Sequence, residues 1–590
     1  MIAVPPTTLG FIGLGAMGGP MVRRLATRGH RVLVHDLNPA SLERAALAGS
    51  VPATLSEIAA HADLVMTCLP SLEALQAVVL GPRGLAGGQA VRTIVDFSTT
   101  GVDFARDTAK ALRAHGIDYL DAPITGNVAK AGDGTLGVMC SGPRMAYERA
   151  EPVLRDLAST IVLYLGEQQG QAQKLKLLNN LLSATGMAVT CEAFILGAKW
   201  GLDPDILLGV INAGEASSSA SRNKFPKSVL PRRFDFGARM AITAKDISLN
   251  VSEGEEAGVP MWIGDAVRQV WQYAAAHGGA EQDGSSLISF LEPWSGVTVR
   301  GTGQARLPSL PPPSATPTLG RYRLVVACDA AQRASLAERL RSGAGQAAGV
   351  PVLGLPVGCH PQAVFEAVQA AMPDEPAPPR LLLNLIPMAC ADSQALESAL
   401  RSQGDAAVDA AWSTASASGS ARLLASGAPE AVAAAGVVLL ALGEQVVHVS
   451  EQPGGAHLTQ QIEGAVAATL LAATCEAYAV GATAGLAPET LRTIMGLETG
   501  RSAASERIVP EQVATRAFAH GRRLADAGRD LDLLLQEAHR LGVSCWVLEK
   551  ATVLYRLAAA QRKPADDITQ LATLYEVWAG VQIRALGAAH

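Results

Sequence analysis

One stretch of this chain occurs twice, and that repetition limits what it can fold into. Residues 185–204 read TGMAVTCEAFILGAKWGLDP and residues 469–488 read TLLAATCEAYAVGATAGLAP, which agree at 11 of 20 positions without a gap, at an offset of 284. The same offset pairs Asp246 with Asp530, Gly258 with Gly542, Glu292 with Glu576, Trp294 with Trp578 and Gly296 with Gly580. Such a register implies two copies of one folding unit, each far longer than a solenoid repeat. Between the copies, residues 300–320 read RGTGQARLPSLPPPSATPTLG. Clustered proline, glycine, serine and threonine predict a semi-extended spacer.

Composition narrows the class. The 590 residues are 49% hydrophobic and 17% charged, enough for several packed cores. A net charge of −6 with no dense Lys/Arg cluster offers no face for nucleic acid. The eight cysteines stand as singles with no CxxC pair, so neither a disulfide framework nor a zinc or other metal site is expected. That usage fits a reducing, cytoplasmic setting. The N-terminus lacks the pattern of a signal peptide. The most apolar runs, such as Ala431–Leu442, are too short to span a bilayer, so no membrane partner is expected.

Within the first half, short apolar runs alternate with helical stretches: Leu9–Gly13, Arg31–Asp36, Leu64–Leu69, Thr93–Ser98, Ile117–Asp121 and Val138–Cys140. This predicts βαβ units and a mainly parallel α/β sheet of the Rossmann type over residues 1–167. Residues 168–299 lack strand punctuation and carry helical periodicity, starting with one helix of about 30 residues from Gln168 to Lys199. A helix of that length can bridge a nucleotide domain and an all-α domain, leaving a cleft between them. By the repeat, residues 321–450 and 451–590 are expected to be degenerate versions of the same two domains.

The chain opens with LGFIGLGAMGGPM. Gly13, Gly15 and Gly18 form GxGxxG between a strand and a helix, with Leu14, Ala16 and Met17 completing the loop. Gly13 permits the tight turn, Gly15 lets a pyrophosphate approach, and Gly18 allows close helix–strand packing. Asp36 ends the second strand about 20 residues on, where a carboxylate accepts from a ribose 2′-hydroxyl and repels a 2′-phosphate. Leu37-Asn38-Pro39 offers no arginine for that phosphate, so the expected cofactor is NAD rather than NADP.

Three further segments carry chemistry: DAPITGNVAKAGDGTL (residues 121–136), GQAQKLKLLNN (170–180) and ITAKDISL (242–249). Lys176 and Asn180 are four apart and share one helix face. A lysine in a closed cleft loses hydration, its pKa falls towards neutrality, and it can then move a proton at a substrate hydroxyl. Lys174 competes for that role. With GLGAMGGPM, DAPITGN, GQAQKLKLLNN and AKDISLN in this order, residues 8–297 resemble the β-hydroxyacid dehydrogenase family, which includes 3-hydroxyisobutyrate, tartronate semialdehyde and L-threonate dehydrogenases.

The resemblance implies a Rossmann NAD domain followed by an all-α domain like that of 6-phosphogluconate dehydrogenase, here duplicated. It implies oxidation of a small 3-hydroxy acid, with Lys176 as the catalytic lysine because it lies three residues before the Asn pair. Thr125 and Gly126 resemble the Ser-Gly that grips the substrate carboxylate, Asn180 the substrate-binding asparagine and Asp246 an acidic residue beside the substrate. Lys245 resembles a lysine near the nicotinamide, Leu69 and Pro70 the loop on the adenosine side, and Thr99 the threonine near the nicotinamide ribose. Asn127 departs from the family's second glycine and is expected to bring a polar side chain near the substrate.

The second half is expected to be catalytically dead. At the constant offset Lys176 becomes Gln460, Asn179 becomes Glu463 and Asn180 becomes Gly464, and DAAQRASLAERL follows the strand Leu324–Cys328 without a glycine loop. Since the family dimerises through its helical domains, a decayed copy can stand in for a partner subunit. The result is an intrachain pseudo-dimer, alone or within a homo-oligomer. Two other readings stay open here: an imine reductase-like enzyme, and a non-catalytic NAD-binding regulatory protein.

Overall fold

The computed structural model describes residues 8–310, 322–342, 350–372, 378–413, 422–497 and 499–585. In the first half, six parallel strands form one sheet in the order β3-β2-β1-β4-β5-β6. They are β1 (Thr8–Ile12), β2 (Arg31–His35), β3 (Val51–Pro52), β4 (Leu64–Thr67), β5 (Thr93–Asp96) and β6 (Asp118–Asp121). Strand order reverses between β1 and β4, which opens a crevice at their carboxyl ends. Three short strands, β7 (Ile124–Thr125), β8 (Gly137–Cys140) and β9 (Ile161–Tyr164), make a second small sheet. The sequence showed no strand at β3, β7 or β9, two of which have only two residues.

The helix Gln171–Trp200 leaves this domain and runs through the helical one. Its start is anchored by Asp121, which is fully buried at the end of β6. That carboxyl accepts from the backbone N–H groups of Gly170 (3.1 Å) and Gln173 (3.3 Å) and from Ser141 Oγ (2.8 Å). Burial pushes its pKa up to about 7, against the pull of those donors. Helices Met240–Glu256, Trp262–Ala274 and Leu287–Ser295 pack around the long helix.

In the second half β10 (Arg323–Asp329), β11 (Val352–Leu355), β12 (Arg380–Asn384), β13 (Ala406–Trp412), β14 (Arg422–Ser426) and β15 (Gln445–Ser450) form a single sheet, ordered β11-β10-β12-β13-β14-β15. Four strands run parallel, β14 is antiparallel to β13, and β15 is parallel to β14. This fuses two arrangements that are separate in the first half, with a shorter parallel portion. The helix Gly455–Thr483 repeats the long helix of the first half.

The two long helices pack against each other and share one hydrophobic core. Both are long and apolar enough to cross a membrane, unlike the shorter runs weighed above, yet 89% and 94% of their most apolar stretches are buried inside the protein. A helix apolar on every face must be covered on every face, and here the other half supplies the part of the cover that its own half does not. The contacts are reciprocal at the offset of 284. Glu192 accepts from the N–H groups of Val547 (2.8 Å) and Leu548 (3.1 Å), and Glu476 accepts from Ile263 (2.7 Å) and Gly264 (2.9 Å). Ser218 bridges Ser502, its own counterpart. Each glutamate thus caps the first turn of a helix in the other half.

The expected spacer is partly a strap. Asp205 accepts from Thr302 N (3.0 Å) and Gly303 N (3.0 Å), and Arg306 N donates to the Asp205 carbonyl (2.9 Å). Pro308 O then accepts from His448 N on β15 (3.1 Å), and Leu307 packs against Val210, Leu424 and Val447. Residues 300–310 therefore tie the helical domain of one half to the sheet of the other. Residues 311–320 of that segment lie outside the described residues.

Glu192→Ala would leave two buried N–H groups without an acceptor, and urea unfolding should show a loss of about 3 kcal/mol. Burial holds the Glu192 carboxyl up to about 8 and that of Glu476 up to about 7, from 4.5. Between those values the folded state binds more protons than the unfolded chain. The contribution of these two groups to stability is therefore full below about pH 4.5 and is lost as pH rises to about 8. The double variant Glu192→Gln, Glu476→Gln should flatten that slope in melting temperatures measured across the range.

Candidate active site

The loop after β1 is built by its glycines. Gly13 has φ +96°, its N–H donates to His35 O (3.0 Å), and a Cβ there would lie 2.3 Å from Cys68 O. A Cβ on Gly18, at the start of the helix Gly18–Thr27, would lie 1.9 Å from Gly13 O. Gly15 is different, with nothing within 4 Å of where its Cβ would stand. Two glycines are thus required by packing and one faces open space at a helix N-terminus, a cradle that fits a pyrophosphate. Leu14, Ala16 and Met17 complete the loop, and Leu69 and Pro70 follow β4 across the crevice, Leu69 N donating to Ser98 Oγ (3.0 Å). Asp36 caps this arrangement, with one oxygen on Leu14 N (2.6 Å) and the other on Asn38 N (2.7 Å).

The long helix defines the other wall. From Gln171 to Gly197 every side chain is buried except Lys176, Asn180 and Ser183. These stand at i, i+4 and i+7, one narrow stripe on one face. Asn180 Nδ2 donates to Asp246 Oδ2 (2.8 Å), and Lys245 Nζ lies 2.8 Å from the other oxygen of that carboxylate. Lys245 Nζ also donates to Thr99 O (2.6 Å), so the loop after β5 is tied to the helical domain here. The structure therefore brings Asn180, Asp246, Lys245 and Thr99 into one chain of hydrogen bonds and an ion pair along the helix from Lys176. Asp246 is buried and already holds two partners, which makes it a support for Asn180 and Lys245.

Lys174 is placed elsewhere. Its ammonium pairs with Glu253 Oε2 (2.8 Å), both side chains nearly buried, while Glu253 Oε1 accepts from Val102 N (2.9 Å). It opens on a separate cavity of about 340 Å³ lined by Asp103, Arg106, Glu256 and Thr483, away from the stripe. Thr125 is buried on β7, and Gly126 follows with φ +131°. Asn127 has a local role: its Oδ1 accepts from Lys130 N (3.0 Å) and caps the helix Val128–Asp133.

Sequence reasoning missed how close the second half comes. Asn179 Nδ2 donates to Thr499 Oγ1 (3.2 Å) and its Oδ1 accepts from Gly500 N (2.9 Å). The corresponding region of the second half is closed. Gln460 Nε2 donates to Asp530 Oδ2 (3.1 Å), and Arg522 donates to the same oxygen (2.9 Å) and to Gly464 O (3.2 Å). A Cβ on Gly464 would sit 2.9 Å from that guanidinium. Arg522 thus fills the space an asparagine side chain would need, and Gln460 alone on this face stays partly exposed.

A glycine cradle facing a lysine–asparagine stripe across a domain boundary defines a two-domain oxidoreductase that takes a nicotinamide dinucleotide. Comparison with known proteins agrees. A family model described as the NAD binding domain of 6-phosphogluconate dehydrogenase matches residues 8–166. A second, described as NAD-binding of NADP-dependent 3-hydroxyisobutyrate dehydrogenase, matches residues 170–291 and again 454–575. The 2-(hydroxymethyl)glutarate dehydrogenase of Eubacterium barkeri is 33% identical over 295 residues, 50% of this chain and 97% of that protein. L-threonate dehydrogenase of Cupriavidus necator is 33% identical over 285 residues, 48% of this chain and 95% of its own. The 3-hydroxyisobutyrate dehydrogenase of Pseudomonas aeruginosa is 32% identical over 299 residues, 49% and 99% respectively. The chain belongs to the β-hydroxyacid dehydrogenase family of NAD(P)-linked oxidoreductases.

The cradle separates two effects. Gly15→Ala should leave the melting temperature unchanged but weaken cofactor binding at least ~tenfold in a fluorescence titration, because its methyl enters the approach path. Gly18→Ala should lower both.

Proposed function

We propose that the first half oxidises a short 3-hydroxy carboxylate, of the 3-hydroxyisobutyrate, glycerate or threonate kind, to the 3-oxo acid with NAD. The observation that carries this reading is the stripe of Lys176, Asn180 and Ser183, the partly exposed line on a helix otherwise buried from Gln171 to Gly197. When bound, NAD accepts the hydride that leaves the carbinol carbon. Lys176 takes the hydroxyl proton and returns it in the reverse direction. Asn180, held by Asp246, orients the hydroxyl, while Thr125 and the Gly126 N–H hold the carboxylate. Asp36 favours NAD, since a 2′-phosphate would meet its carboxylate and no arginine follows it.

The second half, in this reading, is catalytically dead and serves as a built-in partner subunit. Arg522 in place of an asparagine cavity, Gln460 in place of the lysine and the reciprocal caps at Glu192 and Glu476 support it. Removing residues 321–590 should expose the long helix and cause aggregation or self-association. A monomeric, fully active first half would sink the idea.

NADH formation at 340 nm with a panel of 3-hydroxy acids tests the chemistry. Lys176→Ala should lower kcat at least ~100-fold with the fold intact. Lys174→Met should instead cost about 3 kcal/mol of stability by leaving Glu253 unpaired, with the chemical step retained. NAD should exceed NADP at least ~tenfold in kcat/KM, a gap that Asp36→Ser narrows. Turnover that survives Lys176→Ala would overturn the assignment.

A further inference from the structure

The stripe does not end at Asn180. Ser183 lies one turn further along the same face, and its Oγ accepts from Lys224 Nζ (3.0 Å). Lys224 comes from the helical segment Ala220–Val229, and its ammonium also stands over the Phe236 ring, 5.8 Å from the centroid. Among the described residues no carboxylate lies within ion-pair distance of it. The largest attractive charge acting on it is that of Asp283, but that carboxylate is engaged by Ser285 N (2.8 Å), Ser285 Oγ and Gly237 N as a helix cap. Burial pushes the Lys224 ammonium down to about 8, so it stays charged at neutral pH. A half-buried cation with a hydroxyl and an aromatic ring, but no anion, is an incomplete site.

Three neighbouring arginines are committed elsewhere. Arg222 donates to Ser217 Oγ, Arg232 pairs with Glu292, and Arg233 pairs with Asp235. One ammonium and one hydroxyl suit a carboxylate and are too sparse for a phosphate. Ser183 lies seven positions beyond Lys176, roughly 10 Å along the helix axis, so an anion held by Lys224 lies well beyond the reacting carbon.

We infer that Lys224 and Ser183 form a second anion subsite that selects 3-hydroxy acids bearing a distal carboxylate on their C2 substituent. The inference rests on the reading of Lys176 as the acid/base, which fixes the near end of the substrate. It names a substrate class, a hydroxymethyl dicarboxylate, and assigns specificity to a residue outside the motifs.

The test uses the full-length protein and two substrates with the same reacting end. One carries a carboxyethyl group at C2, as in 2-(hydroxymethyl)glutarate, and the other a methyl, as in 3-hydroxyisobutyrate. The dicarboxylate should be preferred at least ~tenfold in kcat/KM. Lys224→Met should remove that preference, mainly through KM, and leave the methyl substrate unchanged. Lys224→Arg should retain part of it. Glutarate, which has no reacting hydroxyl, should raise the melting temperature of the wild type and not of Lys224→Met, whereas butyrate should raise neither. Equal use of both substrates, parallel losses on both in Lys224→Met, or glutarate binding that ignores residue 224 would each overturn the subsite. Loss of all turnover while glutarate still binds through Lys224 would instead count against the acid/base reading alone.

Discussion

Two long helices, each apolar around nearly its whole circumference, set the terms for the rest of the molecule. Neither can be exposed, so each half must supply a wall for the other. The wall needs polar fixing as well as burial, because helix starts in the interior leave N–H groups without partners. Glu192 and Glu476 meet that need across the interface. Asp121 performs the same service within the first half, holding the start of the long helix against the end of β6. Once the helix is fixed at one end and covered along its length, the few positions left open acquire a defined orientation. Preorganisation of that kind is what a side chain needs in order to act at one atom.

The second half shows what becomes of such a cleft when its side chains change. Gln460 and Gly464 vacate the volume of a lysine and an asparagine, and a packed interior does not leave it empty. Arg522 enters, and its charge is tolerated because Asp530, the residue that supports Asn180 in the first half as Asp246, is there to receive it. The nucleotide domain has shortened in parallel, and β10 leads into a helix without a glycine turn.

The glycine loop, the alternating strands and the Lys176–Asn180 spacing were legible because each is encoded within a few residues. So was the duplication, since an offset of 284 holds through the helical segments. The strap at residues 300–310 was not, because its partners Asp205 and His448 lie far off in the chain and its composition reads as a spacer. The local role of Asn127 as a helix cap was within reach of the sequence, since asparagine directly before a helical run is a common N-cap. Lys224 could not be singled out, because nothing local shows that it reaches Ser183. A glutamate recurring in both copies in the middle of an apolar helix was the one visible sign of the interface, and it went unread.

Joining two halves in one chain also releases a constraint. In a pair of identical subunits every contact off the axis is made twice, with the same residues. Here Asn179 meets Thr499 on one side of the interface. The mirror-image positions, 463 and 215, hold two glutamates that would repel each other if they met in the same way. They do not: Glu463 accepts from Ser413 Oγ (2.9 Å), and Glu215 pairs with Arg507 (3.0 Å) and His520 (3.0 Å). Each flank of the interface is therefore built from its own residues, and a change on one flank need not be matched on the other.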